Sequence, residues 1–197
     1  MSNVVTMPWE ILDRMERAVA KVRDRLLRAT AALNQAGVPY AVVGGHAVAS
    51  WVATVDEGAV RNTRDVDLLV RREDLTAVTT ALQKAGFTPE QSFGVTMFLD
   101  GPDAKPSESI HLLFEGEKVK ENDPFDAPTI TTTDDPAGFH VLTFESLVRM
   151  KLLANRDKDK THIRDMIGVG LIDQTWLAKL PPVLAERLKA ILDTPEG

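Results

Sequence analysis

Tyr40-Ala41-Val42-Val43-Gly44-Gly45-His46-Ala47-Val48-Ala49, with its sequel Arg61-Asn62-Thr63-Arg64-Asp65-Val66-Asp67-Leu68-Leu69-Val70, decides how the rest of the chain is read. The first segment reads as a short apolar strand running into two glycines and a helix start. The second reads as an apolar strand with two carboxylates set into it. An ionised carboxylate in a buried strand is costly unless it is paired or holds a metal. Side-chain direction along a strand repeats every two residues, so Asp65 and Asp67 share one face. Two convergent carboxylates supply the hard oxygen ligands that Mg2+ prefers. A Gly-Gly turn lets backbone come close to a ligand, and a helix N-terminus behind it favours an anion. Together these parts read as a site for a metal-bound phosphate. The structural alternative is a pair of surface ion pairs, Arg64 with Asp65 and Asp67 with Arg71. The apolar Val66, Leu68, Leu69 and Val70 weigh against it, because they mark a central strand.

Working outward, Ile11, Met15, Val19, Val22, Leu26, Ala29 and Leu33 recur at three- and four-residue steps and predict an N-terminal helix that packs over the sheet. Gly37-Val38-Pro39 ends it. Thr54 to Ala59 reads as a loop. A helix with Leu75, Val78, Leu82 and Ala85 inward closes at Gly86. Phe87 to Pro89 reads as a short strand or a turn, Val95 to Leu99 as a strand, and Ile110 to Phe114 as the next. Asn122 to Gly138 is rich in Pro, Asp and Thr and reads as a surface excursion with one short strand around Thr129 to Thr132. A helix starts near Phe144, with Thr143 as N-cap. Arg156-Asp157-Lys158-Asp159-Lys160 reads as a charged junction before a second helix from about Lys160 to Ile167. After Pro181-Pro182 a last amphipathic helix carries Val183, Leu184, Leu188 and Ile191. Trp9, Trp51 and Trp176 suit either core or interface. A sheet with flanking helices, followed by a helical C-terminal third, is an α+β or mixed α/β arrangement.

A strand ending in Gly-Gly, a helix, and a strand carrying Asp-x-Asp resembles the core of the nucleotidyltransferase superfamily. The fuller wording, Val42 to Ala49 followed by Arg61-x-Thr63-x-Asp65-Val66-Asp67-Leu68-Leu69-Val70, is most similar to the AbiEii-type branch, which includes toxins of toxin–antitoxin and phage-abortive systems. The resemblance spans about residues 38 to 170. It implies a nucleotidyltransferase-like mixed β-sheet with flanking helices over residues 1–142 and a helical part, 143–197, packed on that core. It implies metal-dependent transfer of a nucleoside monophosphate from a nucleoside triphosphate to RNA, a protein side chain or a small molecule. Asp65 and Asp67 would hold Mg2+ or Mn2+, and Gly44 and Gly45 would contact the nucleotide, with His46 beside them. Arg61 and Thr63 match the branch's Arg-x-Thr-x-Asp pattern. Arg61 is read either as a partner of phosphate or of Asp67, or as a salt bridge that positions the loop.

Superfamily enzymes carry a third acid on a later strand. Here that strand reads Ile110-His111-Leu112-Leu113-Phe114, and His111 stands where the acid is expected. Imidazole accepts a proton near neutral pH but is a softer ligand than Mg2+ prefers. Glu115 and Glu108 are the nearby substitutes. Lys151 lies on an apolar helix stripe with Leu147, Met150 and Ala154. It either snorkels outward or reaches into the cleft to bind phosphate, as the branch implies. Asp159 is read as orienting Lys151 or the helix pair. Lys158, Lys160 and Arg164 suggest a local patch for RNA or nucleotide, with a solvated helix junction as the bland alternative. Two function classes follow: a nucleotidyltransferase, with an antitoxin-like partner protein that restrains it as one variant, or a degenerate fold kept as a nucleotide-binding or interaction module.

Composition bounds these readings. The 197 residues are 44% hydrophobic and 26% charged, which is ordinary for a globular domain. A net charge of −6 argues against an overall basic surface that grips nucleic acid. The chain holds no cysteine, which excludes disulfides and thiolate metal sites. No apolar run approaches the length of a membrane span, and Met1 to Thr6 lack the features of a signal peptide. A cytoplasmic location is the default expectation.

Overall fold

The computed structural model describes residues 9–92, 94–101, 104–105 and 108–194. The segment Met1 to Thr6 therefore lies outside the described residues. Helix α1, Trp9–Ala36, opens the fold. Its C-terminal half buries Leu26, Ala29 and Leu33, packing against the later helix Leu75–Lys84 and the central strand Val66–Val70. The N-terminal half departs from expectation, with Met15 58% and Val19 43% exposed. The periodic stripe is a packing face only from about Val22 onward. A 28-residue helix is about 42 Å long. Gly37, at φ +63°, ends the helix in the left-handed region.

Strand β1, Tyr40–Val43, is buried along its whole length. It runs into α2, Gly44–Ala53, and a loop with one 3-10 turn at Glu57–Ala59 leads on to β2, Val66–Val70. Helix α3, Leu75–Lys84, follows, then β3, Thr88–Ser92, β4, Val95–Leu99, and β5, Ser109–Phe114. Two short strands, β6, Thr132–Asp134, and β7, His140–Leu142, complete the sheet. The seven strands lie in the order β3-β4-β5-β2-β1-β7-β6. β2 is antiparallel to β1 and parallel to β5, and β7 is parallel to β1. The sheet is thus mixed, and helices cover its flanks.

Burial explains the placement. Val66, Leu68, Leu69 and Val70 are fully buried, as are Ala41, Val42 and Ile110, so β1, β2 and β5 form the centre. β3 is an edge strand, and its exposed position tolerates Pro89. β7 went unanticipated because three residues are too few to show a period. Burial of Val141 and Leu142 against the core holds it in place.

Helices α4, Phe144–Ala154, α5, Asp157–Gly168, and α6, Pro182–Leu192, pack on one another, and the first two also on α2. α5 starts at Asp157, earlier than the expected Lys160. Arg156 is its N-cap, and Asp159 accepts a hydrogen bond from the Arg156 backbone N–H at 3.3 Å. Acids in a first helical turn are favoured by the exposed N–H groups there, so a charge run that looks like a junction is a helix start. In α6, Leu184, Leu188 and Ile191 are buried, whereas Val183, expected on that face, is 44% exposed. The Trp51 indole N–H donates to the Leu142 carbonyl at 3.0 Å, and a Trp51–Phe144–Trp176 ring contact ties α2 to the helical part. Trp9 is exposed. Among the described residues no helix is long and apolar enough to cross a membrane.

Candidate active site

The register of three central strands assembles the site. Asp67 on β2 lies opposite Val43 on β1, the residue before Gly44, and beside His111 on β5. Gly44 has φ +68°, where an L side chain is strained, and a Cβ there would collide with the Asp67 carboxylate. The first glycine is therefore needed for both its backbone and its emptiness. Gly45 serves a different neighbour: its Cβ would lie 2.7 Å from Thr63 Oγ1. The Gly45–Thr63 contact seats the loop before Asp65 against the start of α2.

These residues open onto a cleft of about 500 Å3. Gly44, Asp65, Asp67, His111, Lys151 and Lys158 line it, with Arg72, Glu117 and Asp123 among the other lining residues. His111 Nδ1 is 3.4 Å from Asp67 Oδ1, and its Nε2 is 3.0 Å from Ser109 Oγ. Burial opposes the Asp67 charge. The hydrogen bond and charge of His111, with Lys151 and Lys158 behind it, outweigh burial and hold the carboxyl below its ordinary range. The same hydrogen bond raises His111 against the pull of burial. Asp65 is more exposed and has Lys158 Nζ at 3.8 Å.

Behind the carboxylates lies a buried charge cluster. Asp159 is fully buried and accepts from Arg156 Nε at 2.6 Å and Lys151 Nζ at 3.2 Å. Burial alone would raise its carboxyl, but the Arg156 hydrogen bond and the Lys151 charge keep it low. Lys151 is 6% exposed. Burial lowers the pKa of its ammonium, with Asp159 and then Asp67 opposing. The helix stripe thus turns this lysine inward, to the floor of the cleft, and Asp159 orients it.

Other sequence-derived candidates lie elsewhere. Arg61 Nε is 2.7 Å from Asp165 on α5, so this arginine joins the loop to the helical part and does not meet Asp67. His46, on α2, has its pKa lowered by burial, with Asp67 pulling the other way. Its Nε2 is buried with no hydrogen-bond partner among the described residues. Glu115 pairs with Arg71 at 3.5 Å, and neither it nor Glu108 is among the described residues lining the cleft. Lys158, Lys160 and Arg164 do not form one patch: they face Asp65, Asp157 and the Thr194 carbonyl respectively. Sequence reasoning did not single out Arg156, although its three-residue step to Asp159 is a capping-box spacing. It also missed Arg72 and Glu117, a bidentate pair at 2.6 and 2.8 Å.

The donor set can be tested against a divalent cation. Among the described residues no three acid or imidazole groups are already gathered as a metal cage. The chemistry nonetheless fits. Two carboxylates reach one cleft, the missing Gly44 side chain leaves room for the Asp67 carboxylate, and the groups beside the acids are an imidazole and a half-exposed lysine.

A glycine turn at the end of a central strand, one carboxylate on its antiparallel neighbour with another just before it, and cations on two later helices match the arrangement expected of a nucleotidyltransferase. The chain belongs to the family described as uncharacterised nucleotidyltransferase, whose model matches residues 5–123, more than half its length. An antigenic nucleotidyltransferase-like protein from Paracoccidioides brasiliensis has a similar structure, with 18% identity, TM-score 0.55 and 90% of each chain covered. ANT(2")-Ia in complex with adenylyl-2"-tobramycin is also similar, at 14% identity and TM-score 0.51, over 84% of this chain and 95% of that one. At these identities the likeness is one of fold. No curated protein matches the chain.

Proposed function

We propose that the protein is a metal-dependent nucleotidyltransferase that moves a nucleoside monophosphate from a nucleoside triphosphate to an acceptor hydroxyl. The observation that carries this reading is the Asp65–Asp67 pair, set against the Gly44 turn in a cleft whose floor is Lys151. Asp65 and Asp67 would hold Mg2+ or Mn2+, which supplies charge stabilisation at the triphosphate when bound. Gly44 admits the phosphates close to the backbone. Lys151 and Lys158 offset phosphate charge, and Asp159 keeps Lys151 aimed at the cleft. The acceptor oxygen bonds to the α-phosphorus as the bond to pyrophosphate breaks, and the hydroxyl proton passes to water in the open cleft. A nucleoside triphosphate substrate fits a cytoplasmic setting.

Within this reading the AbiEii-type wording of the sequence supports an RNA acceptor and an antitoxin-like protein partner. A protein side chain or a small molecule is the alternative acceptor. His111 in the place of a third acid supports the second class, a degenerate nucleotide-binding module. Incubation with α-labelled triphosphates and acceptor RNA, protein or hydroxylated small molecules separates these. Label transferred by the native protein and not by Asp67→Asn supports the enzyme. Nucleotide binding with no transfer to any acceptor supports the module.

A further inference from the structure

We propose that His111 Nδ1 is a nitrogen ligand of the cleft's divalent cation, and that the site therefore prefers a first-row transition-metal dication such as Mn2+ to Mg2+. This rests on the metal-dependent reading above and specifies which ion that site takes.

The backbone places the imidazole. β2 and β5 are parallel neighbours in register, so Asp67 and His111 project side by side from one face of the sheet. Their facing atoms, Oδ1 and Nδ1, are 3.4 Å apart. Two ligand atoms bound to one ion at roughly 2.1 Å, on adjacent octahedral positions, lie about 3 Å apart. The observed spacing is within a small side-chain adjustment of that.

The other ring nitrogen supports the same assignment. Nε2 is 3.0 Å from the hydroxyl of Ser109, a residue two positions earlier on β5 and only 1% exposed. In the tautomer that donates Nε2–H to Ser109 Oγ, Nδ1 presents its lone pair toward Asp67. An outer hydrogen bond of this kind fixes ring orientation and tautomer in metal-binding histidines. His111 is also partly exposed and lines the cleft, with 27% of its side chain accessible, so an ion can reach it. A dication between Asp67 Oδ1 and Nδ1 would take the place of the direct contact the two atoms make.

The chemical consequence is selectivity. Mg2+ takes oxygen ligands and gains little from imidazole. Transition-metal dications accept mixed nitrogen and oxygen sets. An imidazole adds no negative charge to the two carboxylates, which weakens the hard-ion option most.

The test uses the full chain and Mn2+ itself as the probe. Pulsed electron paramagnetic resonance of bound Mn2+ should show coupling to a directly ligated 14N nucleus. That coupling should vanish in His111→Asp and in His111→Gln, two variants so that a folding failure of one leaves the other. Calorimetry should show the Mn2+ to Mg2+ affinity ratio falling roughly tenfold in His111→Asp. Mn2+ bound without nitrogen coupling, or coupling that persists in both variants, overturns His111 as ligand and leaves the nucleotidyltransferase reading standing. Failure of the native protein to bind Mn2+, with and without nucleoside triphosphate, overturns both.

Discussion

Gly44 and Asp67 share one corner of the fold: the space a Gly44 side chain would need is filled by the Asp67 carboxylate. Gly44 also sits at φ +68°. Gly44→Ala therefore combines backbone strain with displacement of the central acid. Strain of this kind costs on the order of 1–3 kcal/mol, and the collision adds to it. Gly37 is the control, since it has φ +63° but nothing within 4 Å of a Cβ. Gly37→Ala should cost about 1 kcal/mol and leave nucleotide binding intact, whereas Gly44→Ala should lose both stability and binding. Urea melts and nucleotide titration of the two variants check this. Equal behaviour would remove the collision from the account.

The buried Lys151–Asp159 pair predicts non-additive energetics. Their side chains are 7% and 0% exposed. Asp159→Ala leaves an uncompensated ammonium in the core, which costs about 3–5 kcal/mol. Adding Lys151→Met removes that charge and should restore much of the loss. Arg156, which also bonds Asp159, stays partly solvated and needs less repair. A double-mutant cycle by chemical denaturation measures the coupling, and purely additive losses would contradict the pairing.

Lys158 and Lys160 lie two residues apart but face different partners, Asp65 at 3.8 Å and Asp157 at 3.6 Å. Lys158→Ala should weaken triphosphate binding several-fold. Lys160→Ala should leave it unchanged, because a surface pair contributes about 0–1 kcal/mol. A comparable loss in both variants would restore the idea of a single basic patch.

His162 on α5 gives the protein a defined acid sensitivity. Burial, with the Lys151 charge, lowers its pKa from 6.5 to about 4, against the pull of Asp159 and Asp165. The unfolded chain therefore binds a proton that the folded chain refuses. Stability should fall as pH drops from 6.5 toward 4, at up to about 1.4 kcal/mol per pH unit. Above pH 6.5 the residue is neutral in both states and contributes no slope. His162→Gln should flatten the decline between those limits in urea melts at stepped pH. An unchanged slope would assign the acid sensitivity to the carboxylates.

Much of this site was legible in the chain because its parts are local. The Gly-Gly turn and the Asp-x-Asp strand each occupy a few contiguous residues, and strand periodicity fixes which face the acids share. Lys151 was ambiguous because helical periodicity marks a stripe but not its depth. Its inward role depends on Asp159, eight residues away on another helix. The Gly45–Thr63 contact was not legible, since Thr63 is brought to Gly45 by a loop closure that no spacing encodes. Arg61 likewise found Asp165, a partner 104 residues away. The exposed half of α1 shows the opposite limit: a perfect apolar period states which face is alike, not whether anything covers it.

The most direct measurement is calorimetric titration of Mn2+– and Mg2+–nucleoside triphosphates into the native protein and into an Asp65→Asn/Asp67→Asn variant. Saturable binding by the native protein, tighter with Mn2+, and none by the variant is the expected result. Equal binding by both proteins, or none by the native one, would contradict the assignment of the cleft as a metal–nucleotide site.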